Sequence, residues 1–223
     1  NAPNCDFFLF HNYLIANTDF YGAKTPSIIP SSVAIGPGAQ IAPHNVTIGE
    51  NVEIGANAVI LEGTILDDNV QIGPNTTIGI EGTQISLDKS GKKFRVQHAG
   101  GVHIGSDTFV GANAVIVKSL FKEKTLIGKN CTIGNLVNMG HNTKTGNEVL
   151  VLANSVICGS TIIKDRARVS PGSFVASSLL VEEDAFITLG AVVSRNVDKG
   201  QRVSGNFAID HRKFLAHIKN IAQ

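Results

Sequence analysis

Histidine is the side chain that most readily moves a proton near neutral pH, and this chain of 223 residues has seven. Five of them fall in loops, in a tail or in an aromatic opening segment, which leaves His98 and His141 as candidates for chemistry. His141 stands among small and polar residues in the segment NLVNMGHNTKTG (135–146). On spacing alone it is an ordinary surface histidine, and a functional interpretation requires a second group beside its ring.

Gly159 is the residue that we expect to supply this second group. A backbone N–H about one strand spacing from an imidazole brings a general base and an oxyanion donor together. Gly159 follows His141 by 18 residues, so the two meet only if the chain returns to the same place with that period. Asn138 and Asn142 flank His141, and we assign both to substrate binding.

A six-residue repeat of aliphatic residues provides the required period, because three repeats span 18 residues. We call each aliphatic position of the repeat a slot. Two positions before each aliphatic slot stands a small or β-branched residue, Gly often follows the slot, and Asn or Asp often lies three beyond it. The aliphatic side chain fills a narrow interior, while Gly, Asn and Asp tolerate the left-handed backbone of sharp corners. Neither a helix nor a flat sheet has a period of six, whereas the hexapeptide parallel β-helix does. The slots are Ile29, Ile35, Ile41, Ile48, Ile54, Ile60, Leu66, Ile72, Ile78, Ile104, Val110, Ile116, Ile127, Ile133, Met139, Thr145, Val151, Ile157, Ile163, Val169, Val175, Val181, Ile187 and Val193.

Three such hexads make one triangular coil of about 18 residues, and residues 18 apart stack along the axis at about 4.8 Å. The composition agrees, because 24 Ile and 21 Val outnumber 14 Leu and the 23 Gly are suited to tight turns. The sequence therefore predicts an all-β chain, a parallel β-helix in which Gly159 stacks on His141. A helical bundle is excluded, and a conventional β-sandwich is the alternative that explains the period less well.

The limits of the repeat divide the chain into three parts. Residues 1–26 are predicted to form an aromatic cap segment, and residues 27–204 the β-helix domain. Residues 205–223 are predicted to form a short C-terminal helix, with Asp210 as its N-cap and one apolar face formed by Phe214, Leu215, Ile218 and Ile221.

The longest interruption of the repeat is a protruding loop at residues 80–101, which is rich in basic residues. Loops extruded from a solenoid usually lie on its binding face. Lys92 and Arg95 are therefore predicted to contact a diphosphate or another anionic group, and the alternative is a solvated hairpin tip.

Composition excludes several classes of function. The net charge is +1 with only 17% charged residues, which disfavours nucleic acid as a partner. The longest apolar stretch, around Phe7 to Ala16, is too short to cross a bilayer, so no membrane span is expected. Three scattered cysteines argue against a disulfide framework and favour a reducing, cytoplasmic location.

Three segments carry a family resemblance: NLVNMGHNTKTG (135–146), ANSVICG (153–159) and QHAGGVHIG (97–105). They resemble the hexapeptide-repeat acyltransferases, in particular the UDP-3-O-acylglucosamine N-acyltransferases of lipid A synthesis, a step of lipopolysaccharide biosynthesis. The resemblance covers roughly residues 27–210. Ser178 stands where those enzymes carry a second histidine.

The resemblance implies a left-handed coil and a homotrimer with active sites between subunits. It implies that His141 deprotonates the amine of a UDP-linked or other nucleotide-linked amino sugar, and that the amide of Gly159 stabilises the oxyanion. An acyl-CoA or an acyl carrier protein thioester would be the acyl donor, with no bound cofactor and no metal.

Two other functions stay open at this point. The five-residue separation of His98 and His103 resembles a ligand pair of the γ-carbonic anhydrase type, a metal hydratase built on the same repeat. Zinc in such an enzyme needs three protein ligands, and a third histidine is not evident. The second alternative is a non-catalytic solenoid that serves as an assembly scaffold.

Overall fold

The structure is a computed structural model, and it describes residues 3–205 and 210–221. Its backbone forms short strands, most of two residues, separated by corners, with a helix near each end of the chain. The elements are α1 (Pro3–Asn17), β1 (Ala34–Ile35), β2 (Gln40–Ile41), β3 (Thr47–Ile48), β4 (Glu53–Ile54), β5 (Val59–Ile60), β6 (Thr64–Leu66), β7 (Gln71–Ile72), β8 (Thr77–Ile80), β9 (Gln84–Leu87), β10 (Lys93–Val96), β11 (Gly101–Ile104), β12 (Phe109–Val110), β13 (Val115–Val117), β14 (Lys124–Ile127), β15 (Thr132–Ile133), β16 (Asn138–Met139), β17 (Lys144–Thr145), β18 (Leu150–Val151), β19 (Val156–Ile157), β20 (Ile162–Ile163), β21 (Arg168–Val169), β22 (Phe174–Val175), β23 (Leu180–Val181), β24 (Phe186–Ile187), β25 (Val192–Val193), β26 (Arg202–Val203) and α2 (His211–Ile221).

The strands form the three faces of a prism. One sheet has nine strands in the order β1-β4-β7-β12-β15-β18-β21-β24-β26, a second has eight and a third has seven. Every pairing within these sheets is parallel, and in the regular part the register advances by 18 residues, as from Thr132 to Leu150. The parallel pairing confirms the predicted β-helix and excludes a β-sandwich, whose sheets are antiparallel.

The aliphatic slots fill the interior of the prism. From Ile48 to Val193 every predicted slot is buried, which confirms the six-residue repeat as the source of the core. The prediction is wrong for Ile29 and Ile35, which are 42% and 50% exposed. These two side chains belong to the first coil, where a slot residue has a neighbouring coil on one side only.

The corners explain why Gly and Asn recur in the repeat. Asn at the predicted corner positions has a positive φ, for example 56° at Asn51, which confirms the left-handed corners. Gly after a slot makes room for the next coil. A Cβ on Gly140 would lie only 2.5 Å from the backbone nitrogen of Gly159. Close stacking of the coils therefore depends on the bare α-carbon at this position.

The protruding loop contains an antiparallel hairpin of β9 and β10, and α1 packs against it. The amide of Asn12 donates to the carbonyl of Arg95 (2.8 Å) and accepts the N–H of Gln97 (2.9 Å). Sequence analysis predicted no helix at residues 3–17, because the apolar residues surround this helix. Phe7 and Phe10 of α1, for example, are exposed.

The C-terminal helix α2 has the predicted cap. The carboxylate of Asp210 accepts the backbone N–H of Arg212 (3.1 Å) and of Lys213 (3.3 Å), so this prediction is confirmed. Phe214, Ile218 and Ile221 were predicted to share one apolar face with Leu215, and the side chains of these three lie outside the described part of the structure. Neither described helix is long and apolar enough to cross a membrane.

Candidate functional site

His141 lies at the corner that follows β16, directly against the next coil. The register pairs Met139 with Ile157, which places His141 beside Gly159 as the spacing predicts. A Cβ on Gly159 would lie 2.6 Å from the Nε2 atom of His141, so the ring rests on the bare α-carbon of the glycine. Any other residue at position 159 would push the imidazole away.

Asn142 sets the tautomer of His141. Its Oδ1 atom lies 3.0 Å from the Nδ1 atom of His141 and also accepts the backbone N–H of Leu120 (3.0 Å). Because a backbone N–H can only donate, this atom of the Asn142 side chain is an acceptor, and Nδ1 of His141 must carry the hydrogen. Nε2, the atom that faces Gly159, is then unprotonated and basic in the neutral ring.

The amide nitrogen of the Asn142 side chain also has a hydrogen-bond partner within the protein. It donates to the hydroxyl of Ser119. Sequence analysis assigned Asn142 to substrate binding, but these contacts point to a residue that orients the histidine. Leu120 and Ser119 lie between the slots Ile116 and Ile127, which are eleven residues apart instead of six. The spacing of the repeat therefore does not predict their contacts with Asn142.

Backbone N–H groups at one corner of the prism are capped by side chains of the next coil. The N–H of Lys129 donates to the amide oxygen of Asn147 (2.9 Å), and the N–H of Asn147 donates to the carboxylate of Asp165 (2.8 Å). These three residues are 18 apart and stack in register. We call them the capped corner.

His141, Gly159 and Ser177 are stacked in the same way at another corner, which we call the open corner. Within the described residues, the N–H of Gly159 has no acceptor, and Ser177 forms no hydrogen bond across the coil. The open corner thus presents a basic imidazole nitrogen beside an uncommitted backbone donor. This is the pair of groups that acyl transfer requires.

His98 completes the wall around His141. The two rings meet edge to face, with centroids 5.6 Å apart. His98 is 2% exposed, and neither of its ring nitrogens has a partner among the described atoms. Burial, then the neighbouring His141 and Lys118, lowers the pKa of His98 to about 4, so its ring is neutral near pH 7.

Sequence analysis singled out His98 but did not place it with His141. The 43 residues between them are not a multiple of the 18-residue coil, and the loop at 80–101 decides where His98 lies. No pattern in the sequence signals this contact.

Within the described residues, none of the other three predicted substrate-binding residues forms a hydrogen bond with His141. Asn138 is exposed on the eight-stranded face, beside Val156. Lys92 lies in the turn of the hairpin, with its backbone N–H on Asp88 (2.9 Å). Arg95 lies on β10 and forms an ion pair with Glu81 (3.1 Å).

The proposed metal pair is not assembled. His103 contacts the carboxylate of Asp67 (2.9 Å), and His98 is buried against His141 instead. Over residues 3–205 and 210–221, no three His, Cys, Asp or Glu side chains form a cluster that could hold a metal ion. The described residues therefore do not fit the three-ligand zinc site of a hydratase.

Parallel coils of six-residue repeats place the chain among the hexapeptide-repeat transferases. Two family models match the chain. One is described as bacterial transferase hexapeptide (six repeats) and matches residues 45–79. The other is described as hexapeptide repeat of succinyl-transferase and matches residues 101–135.

Curated relatives narrow the resemblance to one kind of acyltransferase. The chain is 31% identical over 164 residues to UDP-3-O-acylglucosamine N-acyltransferase 2 of Legionella pneumophila, a match covering 72% of this chain and 47% of that protein. It is 34% identical over 141 residues to UDP-3-O-acylglucosamine N-acyltransferase of Helicobacter pylori, covering 52% and 42%. These matches confirm the resemblance predicted from the sequence. The chain spans about half the length of the curated relatives it matches.

Solved structures confirm the fold as a left-handed parallel β-helix. UDP-N-acetylglucosamine acyltransferase from Campylobacter jejuni superimposes with a TM-score of 0.66 and 19% sequence identity. The match covers 87% of this chain and 81% of that one.

Proposed function

We propose that this chain transfers an acyl group from a thioester to the amine of a nucleotide-linked amino sugar. His141 acts as the general base and Gly159 as the oxyanion donor. The observation that carries the proposal is the open corner, where the unprotonated Nε2 of His141 lies against a glycine whose N–H has no acceptor among the described residues. Curated relatives named as N-acyltransferases support it.

The proposed reaction follows from the atoms at this corner. The neutral amine attacks the carbonyl carbon of the thioester, and Nε2 of His141 takes the proton that the nitrogen must lose. The carbonyl oxygen becomes an oxyanion, which the N–H of Gly159 stabilises. Collapse of the tetrahedral intermediate breaks the carbon–sulfur bond. The protonated His141 then returns its proton to the leaving thiolate.

Asn142 is proposed as a positioning residue in this reaction. Its oxygen accepts the Nδ1 hydrogen in the neutral ring and continues to accept it in the imidazolium. This hydrogen bond keeps Nδ1 turned away from the substrate and Nε2 directed towards Gly159.

The names of the relatives suggest the substrates. They act on UDP-3-O-acylglucosamine, so we propose a UDP-linked amino sugar of this kind as the acceptor, in lipid A synthesis. The acyl donor is proposed to be a thioester of acyl carrier protein or of coenzyme A, as a co-substrate and without a bound cofactor.

We further propose a cytoplasmic homotrimer with the active sites between subunits. The eight-stranded face supports it, because an outward column of side chains runs along this face at one register position: Val115, Asn138, Val156, Phe174 and Val192. Phe174 and Val192 are exposed in the single chain. Burial of such a flat apolar face against a second prism would place Asn138 at the subunit boundary, close to the open corner.

The test is turnover of a His141→Ala variant with a panel of UDP-amino sugars and acyl thioesters, followed by mass spectrometry. Loss of the general base should lower kcat by about 10²- to 10⁴-fold. His211→Ala is the matched control, because His211 is exposed on α2 and should leave kcat unchanged. Both variants should keep the trimer by light scattering. A His141→Ala enzyme with a near-normal rate would refute the assignment.

A further inference from the structure

A cleft lies between the N-terminal segment and the first coils, and sequence analysis did not predict it. It has a volume of about 500 Å³ and is bounded on one side by Ile15, Thr18 and Tyr21. His98 lies in its wall, and the same ring contacts His141 at the open corner. A molecule bound in this cleft is therefore one side chain away from the proposed base.

The charged side chains that line the cleft are mostly positive. There are four lysines and two glutamates: Lys24, Lys118, Lys122, Lys124, Glu62 and Glu123. The chain as a whole has a net charge of only +1, so this concentration is local. Among the described residues, the one lysine of the cleft that pairs with a carboxylate outside it is Lys118, through Glu81 (3.6 Å).

Two of the lysines have no carboxylate within ion-pair distance among the described residues. Lys122 is exposed, and its ammonium lies 6.0 Å from the centre of the Phe20 ring. Lys124 is half-buried and donates to the carbonyl of Gly63 (3.0 Å). Burial lowers the pKa of Lys124, because the ammonium group is partly removed from water.

The glutamates of the cleft do not neutralise these two lysines. Glu62 lies 4.0 Å from Lys24, and Glu123 lies 3.5 Å from Lys144. Each carboxylate thus faces a lysine other than Lys122 and Lys124. The uncompensated positive charge is concentrated around these two ammonium groups, on the side of the cleft formed by the segment after β13.

We propose that this cleft binds a diphosphate group, held by Lys122 and Lys124. A diphosphate carries enough charge to pair with several ammonium groups at once, and charge-assisted hydrogen bonds to phosphate oxygens are among the strong ones. Sequence analysis predicted that Lys92 and Arg95 contact a diphosphate, and neither of these residues lines the cleft. Arg95 is paired with Glu81, and Lys92 lies in the hairpin turn.

Two substrates could bring this diphosphate to the cleft. The nucleotide-linked acceptor contains one, and so does a coenzyme A donor. Assigning the source rests on the proposed function, whereas the binding of diphosphate itself does not. The assay is therefore binding measured by calorimetry with the unmodified chain and one ligand at a time, so that no turnover occurs.

Inorganic diphosphate, UDP and coenzyme A are titrated separately. We expect inorganic diphosphate to bind, and Lys122→Gln and Lys124→Gln each to weaken its binding by about 10-fold. Glu62→Gln should tighten it. Lys164→Gln is the matched control, because Lys164 is exposed on a strand-flanking position of the solenoid, away from the cleft.

The outcomes separate the two sources. If Lys122→Gln weakens UDP and not coenzyme A, the acceptor supplies the diphosphate; the reverse result assigns it to the donor. The proposal is overturned if inorganic diphosphate does not bind, or if its Kd is the same in the cleft variants and in Lys164→Gln. Such a failure would leave the role of His141 intact, because that role is tested by turnover.

Discussion

The capped corner and the open corner are built from the same backbone and differ in one chemical feature. At the capped corner, Asn147 and Asp165 accept the N–H groups of the coil before them. At the open corner, the equivalent positions hold Gly159 and Ser177, and within the described chain the N–H of Gly159 has no acceptor. Two successive coils are capped at the first corner, and no such cap is present among the described residues where the histidine lies.

The difference shows how a uniform solenoid can acquire a site. A side-chain cap stabilises the prism by about 0.5 to 1.5 kcal/mol at each corner, and its absence forgoes that stability. The absence of a cap also leaves the N–H of Gly159 free to donate, in a fixed position beside His141. Sites of this kind commonly exchange stability for activity. The three predictions below test whether the corners differ for this reason.

The largest effect is expected from Gly159→Ala. The new Cβ would lie 2.6 Å from Nε2 of His141 and 2.8 Å from its Cε1 atom, so the ring must leave its place. We expect kcat to fall by about 10³-fold, within the range of a lost general base. Gly205→Ala is the matched control, since a Cβ on Gly205 meets nothing within 4 Å. A Gly159→Ala enzyme of normal kcat would show that the ring position is unimportant.

The second prediction converts the open corner into a capped one. Ser177→Asn places an amide oxygen one coil from Gly159, as Asn147 is placed from Lys129. We expect kcat to fall by about 10²-fold, because the oxyanion donor is occupied. The melting temperature should rise slightly, since an unsatisfied donor gains a partner.

Ser178→Asn is the control for that variant. It introduces the same side chain one residue further on, at a position with a φ of 61° that asparagine tolerates. Its kcat should stay close to that of the unmodified chain. Equal losses of kcat in Ser177→Asn and Ser178→Asn would argue against the N–H of Gly159 as the oxyanion donor.

The smallest effect is expected at the capped corner. Asp165→Ala removes the acceptor of the Asn147 N–H and should lower the free energy of unfolding by about 1 kcal/mol. Turnover should not change, because this corner has no part in the proposed chemistry. Asp165→Asn keeps an acceptor oxygen and should retain most of the stability. Denaturant unfolding of the two variants measures the difference, and an Asp165→Ala chain as stable as Asp165→Asn would show that the cap contributes nothing.

The sequence by itself determined the prism and the meeting of His141 with Gly159. In a solenoid, each residue contacts the residue one coil away, so a fixed period converts directly into spatial neighbours. The six-residue repeat therefore predicted the buried slots, the left-handed corners and the stacking of these two residues.

Only the tertiary structure decided the rest of the site. His98 reaches His141, and Leu120 and Ser119 reach Asn142, from interruptions of the repeat, where no period relates sequence separation to distance. The lysine cleft likewise depends on how the N-terminal segment lies against the coils. Periodic segments have their neighbours set by local geometry, whereas inserted loops find theirs through packing, and packing is decided by the whole fold.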